Sequence, residues 1–187
     1  MSTVSTQPDA GPMLRRRGAI ILAVFACIWA AGGISRLGAL SEMLPALIGV
    51  VAVTVIIIVY ALRSDQSASP SAPTRLPPDW NRRLGLVNLL QAAGIVVSVV
   101  LLSSAGAPSL IPATVCVIVG MHFIPLARIF DEAAYTLAGL VLCAIGLVGY
   151  GMVALVDGPT SQVVVGCGAA LTLWSTAVYL RRPCGAS

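Results

Sequence analysis

Only one histidine occurs in the chain, His122, and it lies inside an apolar run from Pro108 to Glu132. Imidazole is the side chain that titrates nearest neutral pH. Surrounded by hydrocarbon, it could carry a proton or stay neutral as a hydrogen-bonding group. Few groups are placed to work with it. The run from Leu84 to Ser104 carries Asn88, Gln91, Gly94 and Ser98 at spacings of three, three and four, which keeps them on one side of a helix. Pro125 lacks an amide donor and so frees the carbonyl of Met121, next to the imidazole. His122, Asn88, Gln91, Ser98 and Pro125 therefore form the candidate polar site within the membrane. Two arrangements fit them: a small hydrated pocket, or a structural knot in which Asn88 or Gln91 bonds to His122 or to the freed carbonyl.

Other chemistries find little support. Asp131 and Glu132 are adjacent, so they point in different directions on a helix, and no second acidic cluster accompanies them. Ser98 lies too far toward the opposite face to use His122 as a base. Cys27, Cys116, Cys143, Cys167 and Cys184 show no C-x-x-C spacing, and four of them lie in apolar runs, where a thiol behaves as a small hydrophobe. The glycines do not form a phosphate-binding turn after a strand. The expectation is no catalytic residue, no metal, no cofactor and no enzyme activity.

The elements that must position the polar residues follow from composition. Hydrophobic residues make up 58% of the chain and charged residues 10%, with a mean hydropathy of +0.96. A soluble domain carries about a quarter charged residues. The chain therefore reads as an all-α polytopic membrane protein with the lipid bilayer as its first partner. Six apolar runs, at about 18–34, 43–62, 84–104, 110–127, 134–156 and 163–180, make one membrane domain over 18–180. The Val- and Ile-rich second run, with Thr54 its one non-aromatic polar residue, belongs on the periphery. Residues 1–17 read as a disordered basic tail, 64–79 as a Pro/Ser-rich linker and 181–187 as a short tail. Asp79 is placed to cap the third helix and Trp80 to sit at the membrane interface. A basic patch before an apolar run also describes a signal peptide. The first run continues seven residues past Cys27 without a small-x-small site, so an uncleaved helix is expected.

Arginine placement sets the orientation. With the N-terminus inside, ten of the eleven arginines face the cytoplasm and only Arg36 faces out, and an even number of helices returns the C-terminus inside. Arginines at helix ends, without a basic face interleaved with aromatics, argue against nucleic acid. A short uncharged turn, Ala105 to Ser109, makes the third and fourth helices antiparallel neighbours. Counted from Arg83, Asn88 and Gln91 then lie about 8 to 12 Å deep, and His122 lies about 9 Å from Arg128, at the same level.

Asn81-Arg82-Arg83-Leu84-Gly85-Leu86-Val87-Asn88, together with Gly120-Met121-His122-Phe123-Ile124-Pro125-Leu126-Ala127-Arg128, resembles a group of small bacterial inner-membrane proteins of unknown function that share a G-x-H-F-x-P-L-A segment. The resemblance covers the latter half of the chain. It implies a multi-pass protein of the bacterial inner membrane and no particular activity. Gly139, Cys143, Gly146 and Tyr150 in the fifth run, and Gly166 and Ala170 in the sixth, form stripes on which helices can pack closely. These stripes favour a structural or interaction protein, with a homo-oligomer or another membrane protein as partner. A small transporter or channel built around His122 is the alternative.

Overall fold

Inside hydrocarbon every backbone N–H and C=O must pair within its own segment, so long apolar runs settle as helices even when Val and Ile dominate them. The structure, a computed structural model, describes residues 10–36, 38, 40–63 and 79–181, with side chains from residue 16 onward. Among the described residues there is no strand. The helices are α1 (Ala10–Ile34), α2 (Leu40–Arg63), α3 (Trp80–Ser104), α4 (Ile111–Phe130), α5 (Ala133–Leu155) and α6 (Gly158–Tyr179), with a 3-10 turn over Pro108–Leu110 before α4. All six are long and apolar enough to cross a membrane.

The helix ends differ from expectation in physically simple ways. Helix α1 begins at Ala10, so 10–17 extend a helix where composition alone suggested a disordered tail. Extending an existing helix needs only propagation, not a new nucleus, and Pro12 sits in the first turn, where its missing donor costs nothing. Residues 1–9, linker residues 64–78 and tail residues 182–187 lie outside the described residues. Asp79 precedes α3 but makes no side-chain cap. Instead Arg83, one turn on, donates to its carboxylate at 2.8 Å. That hydrogen bond holds the Asp79 carboxyl below its ordinary range.

Polar residues also define the turns. Asp131 ends α4 in the left-handed region, with φ 50° and ψ 47°, and Glu132 is extended before α5 begins. Asp157 caps α6, accepting from the Thr160 amide at 2.6 Å and the Thr160 hydroxyl at 2.9 Å. Pro112 falls in the first turn of α4, as expected, whereas Pro125 lies within the helix, which continues to Phe130.

The most extensive packing joins α4 to α5 and α1 to α6, with α5 against α6 linking the two pairs. Helix α2 lies outside α1 and buries only Val50, Thr54, Ile57 and Ala61, the peripheral place its composition suggested. Helix α3 packs on α4 and the 3-10 turn and buries no residue. Although consecutive in sequence, α2 and α3 stand at opposite ends of the packing order α3, α4, α5, α6, α1, α2. Leu142, Leu173, Val165 and Cys116 are fully enclosed at the centre. Exposed apolar side chains such as Ile48 and Ile56 on α2 and Leu89 and Leu90 on α3 form the surface that lipid would cover.

Candidate functional site

The small-residue stripes are used up inside the chain. A Cβ on Gly139 would fall 2.6 Å from the Gly120 carbonyl oxygen, and one on Gly120 would fall 2.7 Å from the Gly139 carbonyl oxygen. The backbones of α4 and α5 therefore touch. Around this contact Cys116 donates to the Leu142 carbonyl at 3.3 Å, and Tyr150 donates to Thr114 at 2.7 Å. On the other side of the bundle a Cβ on Gly166 would meet the Gly33 Cα at 2.7 Å, bringing α6 equally close to α1. Ser161 of α6 adds a bond to the Gly149 carbonyl of α5 at 2.8 Å.

Helix α3 makes no such approach. A Cβ on its Gly94 would lie 3.6 Å from Ile118, an ordinary van der Waals contact. Between α1 and α3, over α4, a groove of about 690 Å³ remains. Asn88 and Gln91 line it from α3, His122 and Phe123 from α4, and Phe25 and Trp29 from α1. Arg17, Trp80, Asn81 and Glu132 stand at one end of it, where α1 and α3 begin and α4 ends. A second cavity of about 320 Å³ continues from the first, sharing Phe25, Trp29, Gln91, Ile95 and Val119, and reaches Gly32, Pro112 and Gln162.

Three of the five site residues read from the sequence thus share one cavity. His122 is half-buried beside the Val87 backbone of α3, with its ring edge-on to Phe123 at a centroid distance of 6.1 Å. Its Nδ1 is buried and has no hydrogen-bond partner among the described residues. Gln91 is half-buried and Asn88 exposed. Among the described residues no hydrogen bond joins Asn88 or Gln91 to His122, whose ring instead faces the Val87 backbone of α3. Ser98 lines neither cavity and donates to the Gly94 carbonyl at 2.7 Å, one turn back in its own helix. Pro125 also lies outside both cavities.

The sequence reading missed Phe25, Trp29 and Arg17. Nothing in the spacing of α1 says that it closes the groove from the far side, because that contact follows from the packing of α1 on α6. Trp80 was legible as an interfacial residue, though not as part of the site.

Among the described residues no three His, Cys, Asp or Glu side chains converge as metal ligands would. Among the described residues the two charged ones in the lining, Arg17 and Glu132, stand at one end, and the interior offers only neutral hydrogen-bonding groups between apolar walls. Such a surface can hold a molecule that is apolar along most of its length and polar at one point. No family model, curated protein or solved structure matches the chain.

Proposed function

We propose that this chain is a multi-pass protein of the bacterial inner membrane, with both termini cytoplasmic, that works as a small transporter binding an amphipathic molecule in the groove between α1, α3 and α4. The observation that carries this reading is that His122, Asn88 and Gln91 line one open groove without bonding to one another. A carboxamide left unpartnered in hydrocarbon is costly, so a sequence that keeps two of them beside an imidazole needs a reason other than helix packing. A ligand with a polar head supplies one. The positive-inside distribution of arginine supports the orientation, and the resemblance around His122 supports a bacterial inner membrane. The reading involves no enzyme activity and no cofactor. The structural or interaction role rested on stripes of small residues, and those on α5 and α6 are occupied by α4 and α1.

Tryptophan fluorescence tests the reading directly. Trp29 and Trp80 line the groove, and Trp174 does not. In lipid nanodiscs, a doxyl-labelled fatty acid should quench the emission of a Trp174→Phe background saturably. Filling the groove with Ala92→Phe should weaken that binding by about tenfold, or 1.4 kcal/mol. Quenching that rises linearly with probe, and alike in both proteins, would mean the groove is no site.

A further inference from the structure

We infer that the amphipathic molecule of the groove is a membrane quinone, held with its ring at the level of Asn88, Gln91 and His122 and its isoprenoid tail toward the second cavity. The inference rests on the groove reading and names its ligand class. The chain has three phenylalanines, and all three, Phe25, Phe123 and Phe130, line the first cavity together with Trp29, Trp80 and Tyr135. Such a concentration of flat side chains suits a flat ligand, because rings in offset or edge-on contact gain more than the burial of their area alone. Tyr135 already packs on Phe123 and Phe130, at centroid distances of 5.8 Å and 6.0 Å. Phe25 and Trp29, one turn apart on α1, have no ring partner among the described residues, and Phe25 is exposed. A bound ring would supply that partner.

The polar part of the lining is a single band. Asn88 and Gln91 are three residues apart on α3, about 4.5 Å along its axis, and His122 stands at the same depth on α4. Carboxamide N–H groups donate to a neutral carbonyl with no charge to balance, so a ligand that carries its polar atoms on one ring matches one band. A fatty acid fits less well. Its carboxylate would sit with Arg17 at the mouth, and its methylenes would then cover Asn88, Gln91 and His122 without bonding to them.

Beyond this band the lining is apolar. The second cavity, of about 320 Å³, continues past Gln91 between Ile28, Ile95, Val115 and Val119. Gln162 at its far end is satisfied within the chain: its amide donates to the Gly32 carbonyl at 3.1 Å, and its side-chain oxygen accepts from Arg36 at 2.9 Å. That space offers a hydrocarbon tail apolar walls and asks for no polar partner. Aromatic walls, one band of neutral donors and an apolar extension are together the complement of a carbonyl-bearing ring on an isoprenoid tail.

The test adds a quinone with a two-unit isoprenoid tail to the Trp174→Phe background in nanodiscs. Quinones quench tryptophan themselves, so emission from Trp29 and Trp80 should fall saturably, and the quinone should bind more tightly than the doxyl fatty acid. Gln91→Leu and His122→Phe should each weaken the quinone about tenfold and leave the fatty acid within about twofold. In infrared difference spectra the carbonyl stretch of the bound quinone should lie below that of quinone in the lipid alone, and should move back in Gln91→Leu. Saturable quenching by the fatty acid with only linear quenching by the quinone would overturn the ligand class and keep the groove as a site. Linear quenching by both would overturn both readings. Saturable quinone binding that neither substitution weakens, or an unshifted carbonyl stretch, would show that the polar band does not read the ring and would also overturn the inference.

Discussion

Helix α4 is packed in two different ways on its two sides. Toward α5 it presents Ala113, Cys116 and Gly120, all buried, and meets Gly139 and Gly146 at backbone contact distance. Toward α3 it presents Ile118 and His122, and the partner helix stands off far enough to leave the groove. In a membrane no hydrophobic force draws helices together, because lipid is as apolar as leucine. Close approach depends instead on small side chains meeting small side chains. The α4–α5 side meets that condition. The α3–α4 side does not, and space large enough for a ligand is the consequence.

The sharpest way to break this comparison is to add one methyl group to each interface. Gly139→Ala would place its Cβ against the Gly120 carbonyl, a backbone atom that cannot rotate away. The expected cost is about 2 to 3 kcal/mol, at the upper part of the range for overpacking. In mild detergent at fixed protein concentration that corresponds to a fall in thermal midpoint of roughly 5–10 °C for a chain of this size. Gly94→Ala on α3 has room, so removing a helix-interior glycine should stabilise by up to about 1 kcal/mol. Equal effects at both sites would mean that the two sides of α4 are packed alike, and the contrast would fail.

A smaller effect sharpens the tight side. Tyr150 and Thr114 join α5 to α4 through hydroxyls 2.7 Å apart. Tyr150→Phe keeps the ring and removes the bond, and should cost about 1 kcal/mol. A double cycle with Thr114→Val should recover most of that as coupling. Additive losses would show that the bond contributes nothing to holding the pair.

Sequence period and composition were enough to place six helices, because each run is long, uninterrupted and flanked by arginine or by turn residues. The α5 stripe was legible for the same reason: Gly139, Cys143, Gly146 and Tyr150 recur at helical spacing. Its partner was not, since a small-residue face says only that something comes close, whether a helix of the same chain or another protein. Within the site, the equal depth of Asn88, Gln91 and His122 followed from counting along a short hairpin, and they share a cavity. Whether they would bond to one another depends on the distance between α3 and α4. That distance is set by side-chain bulk at the contact, which one-dimensional spacing does not encode. Ser98 shows the related limit: it lies on the correct stripe, yet a carbonyl one turn back in its own helix satisfies its hydroxyl first.

The loose side gives the smallest expected effect. If Asn88 or Gln91 were bonded to His122, making the pair apolar would remove a link between helices, and the two substitutions would be strongly coupled. In the structure Asn88 is exposed within the groove, and no bond joins it to His122 among the described residues. Asn88→Leu and His122→Phe should therefore each change stability by no more than about 0.5 kcal/mol or raise it, and the double variant should equal the sum of the singles within about 0.5 kcal/mol. Coupling of 1 kcal/mol or more, on the scale of a hydrogen bond, would mean that the polar residues serve packing after all. Additivity with undiminished stability would leave them as groups kept without structural benefit, which is the signature of residues retained for what they bind.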